Sequence, residues 1–289
     1  MKSFWLVSTD HLEKQLWFRD EEDFKVGMNL VAVQAHIGTA VVLSFILMSN
    51  HVHFVLKGSR NEALAFITGY KKRYSQYYGN KYGIKELLRR NNVDLQFIPL
   101  SDEAPEWAIA YVLMNCVAAN ICSHPSQYSW GAGNLFFNAA KPIGKPLGSM
   151  SARALKRLLH SDCSTLPREW LISEAGYILP GSYVDIKTVE ACYRSAKRMN
   201  YFLSNSSKAK KRIEAADEHL PAFRDQTILT ALPDLCQSLF GKPSFSALPE
   251  KDRTELVRQI RFRFSANVNQ VARVCGISYE EAAKRMDSV

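Results

Sequence analysis

Two histidines separated by one residue, His51-Val52-His53, lie between the apolar runs Ile46-Leu47-Met48 and Phe54-Val55-Leu56. Successive side chains of a strand alternate between its faces, so both imidazoles point one way and Val52 the other. Two imidazoles on one face of a rigid strand supply half of a divalent-metal site. The alternative is a pair of polar residues on a solvent face, and the apolar flanks argue against it. Farther along, Tyr111 and Asn115 stand four residues apart in a stretch predicted to be helical, which puts them on one face. A tyrosine beside a metal-bound phosphate can attack phosphorus and hold a cut strand covalently. A phenol with an ordinary pKa of about 10 needs a nearby cation or base to ionise at neutral pH. Asn115 could add an amide oxygen as third ligand, leaving positions open for phosphate oxygens. For Tyr111 the alternative is a half-buried packing aromatic.

These groups need a scaffold, and the first half of the chain predicts one. Phe4-Trp5-Leu6-Val7 reads as a strand, and Asp20 to Gly38 as a helix with acids in its first turn and apolar Phe24, Met28, Val31 and Ala35 at helical spacing. Ala40 to Met48 and Val52 to Leu56 are β-rich runs joined at Ser49-Asn50. Asn61 is expected to cap a helix from Glu62 to about Tyr82 that Gly83 closes. Leu95 to Leu100 is a fourth strand, and Pro105 to Cys122 a third helix. The order β-α-β-β-α-β-α predicts an α+β protein. Its first six elements are those of a ferredoxin-like antiparallel sheet with two helices on one face, and the helix bearing Tyr111 is an addition.

The run Phe45-Ile-Leu-Met-Ser-Asn-His-Val-His-Phe-Val-Leu56 resembles the HUH motif (His, hydrophobic, His) of the single-tyrosine insertion-sequence transposases, especially the REP-associated tyrosine transposases. Leu16-Trp-Phe-Arg-Asp-Glu-Glu-Asp-Phe24 is similar to their segment entering the first helix, and Ala110-Tyr-Val-Leu-Met-Asn-Cys-Val-Ala-Ala-Asn-Ile121 to their tyrosine-bearing helix. The resemblance covers roughly residues 1 to 140. It implies that His51 and His53 bind the metal, that Tyr111 is the nucleophile and that Asn115 is the polar residue one turn on. It also implies Mg²⁺ or Mn²⁺ as cofactor, and transesterification on single-stranded or hairpin DNA through a 5′-phosphotyrosine. Relatives act as monomers or as homodimers. Ser49, Leu113 and Cys116 depart from the family pattern, and Arg89 to Phe97 matches its basic stretch poorly. Replication initiators and relaxases use the same residues. A non-catalytic DNA-binding protein that kept the fold would be a function of another class.

Composition agrees with a nucleic-acid partner. The 289 residues carry a formal charge of +9, and residues 145–289 hold 23 Lys+Arg against 16 Asp+Glu, while residues 1–144 hold 14 against 12. An excess concentrated in one half suggests a polyanion, with a solvated basic surface as the plain alternative. An apolar fraction of 47% excludes global disorder, and no apolar run is long enough to span a bilayer. The start of the chain lacks the apolar core of a secretory signal, so the expectation is a cytoplasmic protein without membrane contact. Six scattered cysteines without a CxxC pair are expected to be free, mostly buried thiols.

The expected organisation is a catalytic domain over 1–143, a Gly/Pro/Ser-rich linker over 144–151, a helical region over 152–250, and a helix-turn-helix-like DNA-binding module over 251–289. A continuous helix is predicted from Asp185 to Leu203, and Ser204 to Arg212 as a basic loop or helix start. Lys71, Lys72, Arg73 and Tyr74, in a helix crowded with tyrosines, are candidates for backbone and stacking contacts to single-stranded DNA. A helix packing its aromatics on the sheet is the alternative. Arg273, Lys284 and Arg285 are the candidates in the terminal module, where Tyr279 to Met286 would be the recognition helix.

Overall fold

The computed structural model describes residues 3–10, 12, 16–84, 88, 91–140, 142–161, 163, 165–206, 225–264, 266 and 268–287. Strands β1 (Ser3–Thr9), β2 (Val41–Met48), β3 (His51–Gly58) and β4 (Val93–Ile98) pair antiparallel in the order β2-β3-β1-β4. The two strands of the β2–β3 hairpin are buried along nearly their whole length, as expected for strands covered on both faces. Helices α1 (Glu21–Ile37) and α2 (Arg60–Tyr82) cover one face. Phe54 of β3 meets Phe66 and Tyr70 of α2 there, at ring separations of 5.2 and 5.6 Å. The neighbouring residue His53 turns to the other face, where helix α3 (Ala104–Leu113) lies. The added helix is therefore the opposite layer of a sandwich.

Local chemistry sets the ends of these helices. Asp20 caps α1, accepting from the Asp23 N–H at 2.9 Å. Ser59, two residues before the predicted Asn61, caps α2 in a reciprocal box: Ser59 Oγ accepts from Glu62 N at 3.2 Å and Glu62 Oε2 from Ser59 N at 2.6 Å. Gly83 ends α2 in the left-handed region at φ 72°. The third helix is shorter than predicted. It stops at Leu113, and after Met114 only a single turn, α4 (Asn115–Ala118), continues.

Residues 144–151 are no free linker. Their Lys145–Pro146 strand (β5) pairs with Leu171–Ile172 (β6), and Leu147 is 3% exposed. Helix α5 (Ala152–Leu159) then packs its leucines against Ala32 and Val33 of α1. The predicted helix from Asp185 to Leu203 is two, α6 (Ile186–Tyr193) and α7 (Ala196–Asn205), because Arg194 turns left-handed at φ 64° and Ser195 starts a new cap. Both pack on α3, and Tyr193 Oη donates to the Glu106 carbonyl at 2.6 Å. Most of the predicted basic stretch 204–212 lies outside the described residues. The last cluster comprises α8 (Asp225–Phe240), α9 (Glu250–Phe264), α10 (Val268–Cys275) and α11 (Tyr279–Asp287). Its core includes Ile228, Leu232 and Leu235 of α8 and Leu16 from the segment before α1, so residues 251–289 share their core with helices and segments outside that range. Among the described residues no helix is long and apolar enough to cross a membrane, and none of the six cysteines forms a disulfide.

A buried acidic centre joins α1, α2 and the segment before α1. Asp23, fully buried, accepts from Arg19 N, Tyr77 Oη and Lys81 Nζ at 2.8 Å each and from Tyr82 Oη at 2.9 Å. Replacing it with alanine strands several buried donors, so Asp23→Ala should cost about 3–5 kcal/mol in urea denaturation. Burial alone would raise the neighbouring Asp20 carboxyl. Its hydrogen bonds from Lys81 and Asp23 N–H, with the charges of Lys81 and Arg263, outweigh that and hold it below the ordinary 3.8. A depressed folded value means that this stability is present above the unfolded pKa and lost as pH falls through the folded one. Below pH 3.8 the stability gap between the native protein and Asp20→Asn should therefore narrow, as read by denaturation at successive pH values.

Candidate active site

The β-register brings together residues that are far apart in sequence. His53 lies opposite Ser8 of β1, and Ser8 lies opposite Asp94 of β4, so the three stand side by side on the α3 face of the sheet. His51, two residues back on β3, shares that face, and the two imidazole rings are 4.8 Å apart at 85°. Both histidines are buried, 5% and 3% exposed. Each is held through Nδ1. His51 Nδ1–H donates to Asn50 Oδ1 at 2.7 Å, and His53 Nδ1 shares a 2.8 Å hydrogen bond with Ser8 Oγ. Fixing Nδ1 sets the ring orientation and leaves Nε2, shielded from bulk solvent, as the nitrogen suited to a cation.

Tyr111 comes from the opposite layer. Its ring lies 5.7 Å from that of His53, edge to face at 83°. It is half-buried, and burial, together with the Asp94 carboxylate, raises its phenol above the ordinary 10. The protein alone thus makes this tyrosine harder to ionise, not easier.

Asn115 sits just past the break at Met114 rather than on one continuous helix with Tyr111. Its Nδ2 donates to the carbonyls of Tyr111 at 2.9 Å and Val112 at 3.1 Å, satisfying acceptors that the end of α3 would otherwise leave open. That use of the amide nitrogen leaves Oδ1 as the acceptor of the pair. Two imidazole nitrogens and an amide oxygen are a donor set that Mn²⁺ and Mg²⁺ accept, with room for water or phosphate oxygens. Among the described residues no group of three or more His, Cys, Asp or Glu side chains is placed to hold a metal.

The structure separates the remaining predicted contacts. Tyr74 is fully buried with its hydroxyl donating to the Trp17 carbonyl, so it cannot stack on a base. Tyr70 and Tyr78 are equally buried, so these aromatics of α2 pack on the sheet. Lys71 is half-buried and donates to the Asn91 carbonyl, Arg73 is half-buried, and Lys72 is exposed. In the terminal module Arg285 is only 7% exposed and engaged by Glu281 at 2.6 Å and Glu250 at 2.9 Å. It ties α11 to α9 and is no groove contact. Arg273 is more open but paired with Asp225 at 2.6 Å, and Lys284 is exposed. Sequence reasoning missed Ser8, Asn50 and Asp94. Asn50 adjoins His51 and was accessible to inspection, whereas Ser8 and Asp94 join the site only through strand register.

No protein-family model matches this chain, and no curated protein matches it. Among solved structures, a REP-associated tyrosine transposase bound to a REP hairpin aligns with a TM-score of 0.39 and 10% identity, over 62% of this chain and 94% of its own. A likeness of that size leaves the functional reading to the residues themselves.

The contrast between the two neighbouring cations on α11 is measurable. Arg285→Ala should lower stability by about 1–2 kcal/mol through its lost hydrogen bonds. Lys284→Ala should stay within about 0.5 kcal/mol of the native protein in the same denaturation experiment.

Proposed function

We propose that this chain is a transposase-like DNA nickase and strand transferase whose nucleophile is Tyr111. The observation that carries the reading is the meeting of Tyr111, from one layer, with the His51–His53 pair, from the other, on one face of the sheet. Buried histidines held through Nδ1 beside a tyrosine are the parts that metal-assisted phosphoryl transfer requires. A packing aromatic would need neither the imidazole pair nor its Ser8 and Asn50 supports. In this reading His51, His53 and the Asn115 amide oxygen hold Mg²⁺ or Mn²⁺, which when bound withdraws charge from the scissile phosphate and favours the phenolate.

Tyr111 Oη attacks phosphorus as its proton leaves. The P–O3′ bond breaks, and the departing 3′-oxygen takes up a proton as the 3′-hydroxyl. The product is a 5′-phosphotyrosine. Attack by a 3′-hydroxyl on that linkage reverses the exchange, frees the tyrosine and rejoins DNA without consuming water.

The strand order supports the ferredoxin-like arrangement, with α3 as an added layer. We read α10 and α11, joined through Gly276 at φ 66° and capped by Ser278, as a helix-turn-helix. With Arg285 buried and Arg273 paired, any DNA contact there falls chiefly to Lys284 and the exposed Arg261. A cytoplasmic location and a DNA partner, single-stranded or hairpin, belong to the same proposal.

Labelled hairpin oligonucleotides incubated with Mn²⁺ should yield a covalent adduct on a denaturing gel. Tyr111→Phe should abolish it, and Tyr74→Phe should retain it. An adduct surviving Tyr111→Phe sinks the assignment. Asn50→Ala, which frees the His51 ring, should weaken Mn²⁺ binding about 10–100-fold by titration calorimetry.

A further inference from the structure

A wide basic cleft lies on the other side of the sheet from Tyr111. It is an open groove of about 1500 Å³ between α2 and α5. Lys71, Lys72 and Lys81 line it from α2, and Arg153, Lys156 and Arg157 from α5; among the described residues Glu22 is its one acidic side chain. Packing fixes the α5 cations. Leu155, Leu158 and Leu159 point into the core against Ala32 and Val33, so Arg153, Lys156 and Arg157, at i, i+3 and i+4, must share the outer face. All three are exposed, as is Lys72 across the groove. Lys81 is engaged by Asp20 and Asp23.

We infer that this groove holds the phosphate backbone of a duplex stem of the DNA substrate. The inference rests on the reading of Tyr111 as a DNA-cleaving residue, which it extends. A groove with six cations and one acid attracts a polyanion. Grooves that bind single strands offer aromatic platforms to unstacked bases. The tyrosines of α2 do not: Tyr70, Tyr74 and Tyr78 are fully buried, Tyr77 is only 6% exposed, and Tyr82 is covered by Arg19 outside the groove. His160, the one exposed ring of the lining among the described residues, packs against Tyr77 at 4.9 Å. What remains is cationic contact without stacking, which suits paired bases whose faces are unavailable.

The groove also leads toward the site. Lys71 donates to the Asn91 carbonyl, Asn91 Nδ2 donates to the Asp10 carbonyl at 2.8 Å, and three residues beyond Asn91 stands Asp94, beside Ser8 and Tyr111. Groove and site thus share the end of the sheet where β1 finishes and β4 begins. A stem in the groove would deliver its single-stranded foot around that end.

The test is equilibrium binding of the full chain in the presence of a chelator, so that its result does not depend on adduct formation. The probes are a DNA hairpin with a single-stranded tail and the tail alone. The variant Arg153→Gln/Lys156→Gln/Arg157→Gln leaves the inward leucines in place, and an unchanged melting temperature verifies its fold. It should bind the hairpin about 10–100-fold more weakly. The slope of log K against log salt should flatten by about 2–3, near 0.9 for each lost phosphate contact. Affinity for the tail should change by less than about twofold, a factor that corresponds to about 0.4 kcal/mol. Unchanged hairpin affinity, equal losses for hairpin and tail, or equally tight and equally sensitive binding of polyglutamate would each overturn the inference.

Discussion

A single buried carboxylate organises the region that presents the histidines. Asp23 receives four donors, from the segment before α1 and from three residues of α2. One of them, Arg19 N, belongs to the stretch 16–19, whose other contacts reach the β2–β3 turn. Trp17 N and Phe18 N donate to the Ser49 carbonyl at 2.8 and 3.1 Å. The next residue, Asn50, holds His51 by its ring nitrogen. Separate hydrogen bonds, joined by short stretches of backbone, therefore link a charge in the helical layer to an imidazole on the opposite face. Loss of a buried acceptor would release more than its own bonds, because each link fixes the next. The acidic segment that resembles the entry to the first helix of the transposases thus acts as a clamp on the turn before the histidines.

The sheet supplies the second constraint. With β3 between β2 and β1, alternate residues of one strand face different layers. Phe54 completes the aromatic packing of α2, while His53 meets Tyr111. A slip of one residue in the β1–β3 register would exchange the two sets and bury imidazoles among aromatics. The edge beside β2 is closed too. Residues 128–132 run along it, with Leu47 N donating to the Trp130 carbonyl and Ala132 N to that of Phe45 at 2.8 and 3.0 Å. Only glycine fits at position 131, where a Cβ would lie 2.8 Å from the Phe45 carbonyl oxygen. An edge covered in this way cannot pair with another chain, and the hairpin carrying the histidines stays in register.

How much of this was legible in the sequence follows from what each feature depends on. Strand alternation is local geometry, so the shared face of His51 and His53 could be read directly. The element order pointed to an antiparallel sheet with helices packed on it. The cap of α2 was also written locally, because Ser59-Arg-Asn-Glu62 is a capping-box sequence, yet the nearer Asn61 was the more conspicuous residue. Tyr74 was not legible as core. The periodicity did point to a stripe, since Tyr70, Tyr74, Tyr77, Tyr78 and Tyr82 recur at i, i+4, i+7, i+8 and i+12 on the face of Phe66 and Ile67. Tyrosines interleaved with lysines suit a stacking surface as well as a core, however, and only the sheet beneath decides between them. Nor could the sequence show that Met114 breaks the helix, since Asn115 satisfies the freed carbonyls only once it has folded back on them.

Charge is where sequence and structure diverge most. The excess of 23 cations over 16 acids in residues 145–289 suggests a basic face on the terminal helices. In the folded chain several of those cations are already matched. Arg198 pairs with Glu103 and Glu106, Arg273 with Asp225, and Arg285 with Glu250 and Glu281, while Arg263 is buried near Asp20 and Asp23. Such pairs fasten helices to one another, and a cation held in one has less to offer a phosphate. The basic groove is lined by cations of α5, a helix whose other face is committed to the core, and of α2 in the nominally balanced half, where Lys81 is itself held by Asp20 and Asp23. A composition count locates charge along the chain; only folding decides which charges are engaged internally and which face solvent.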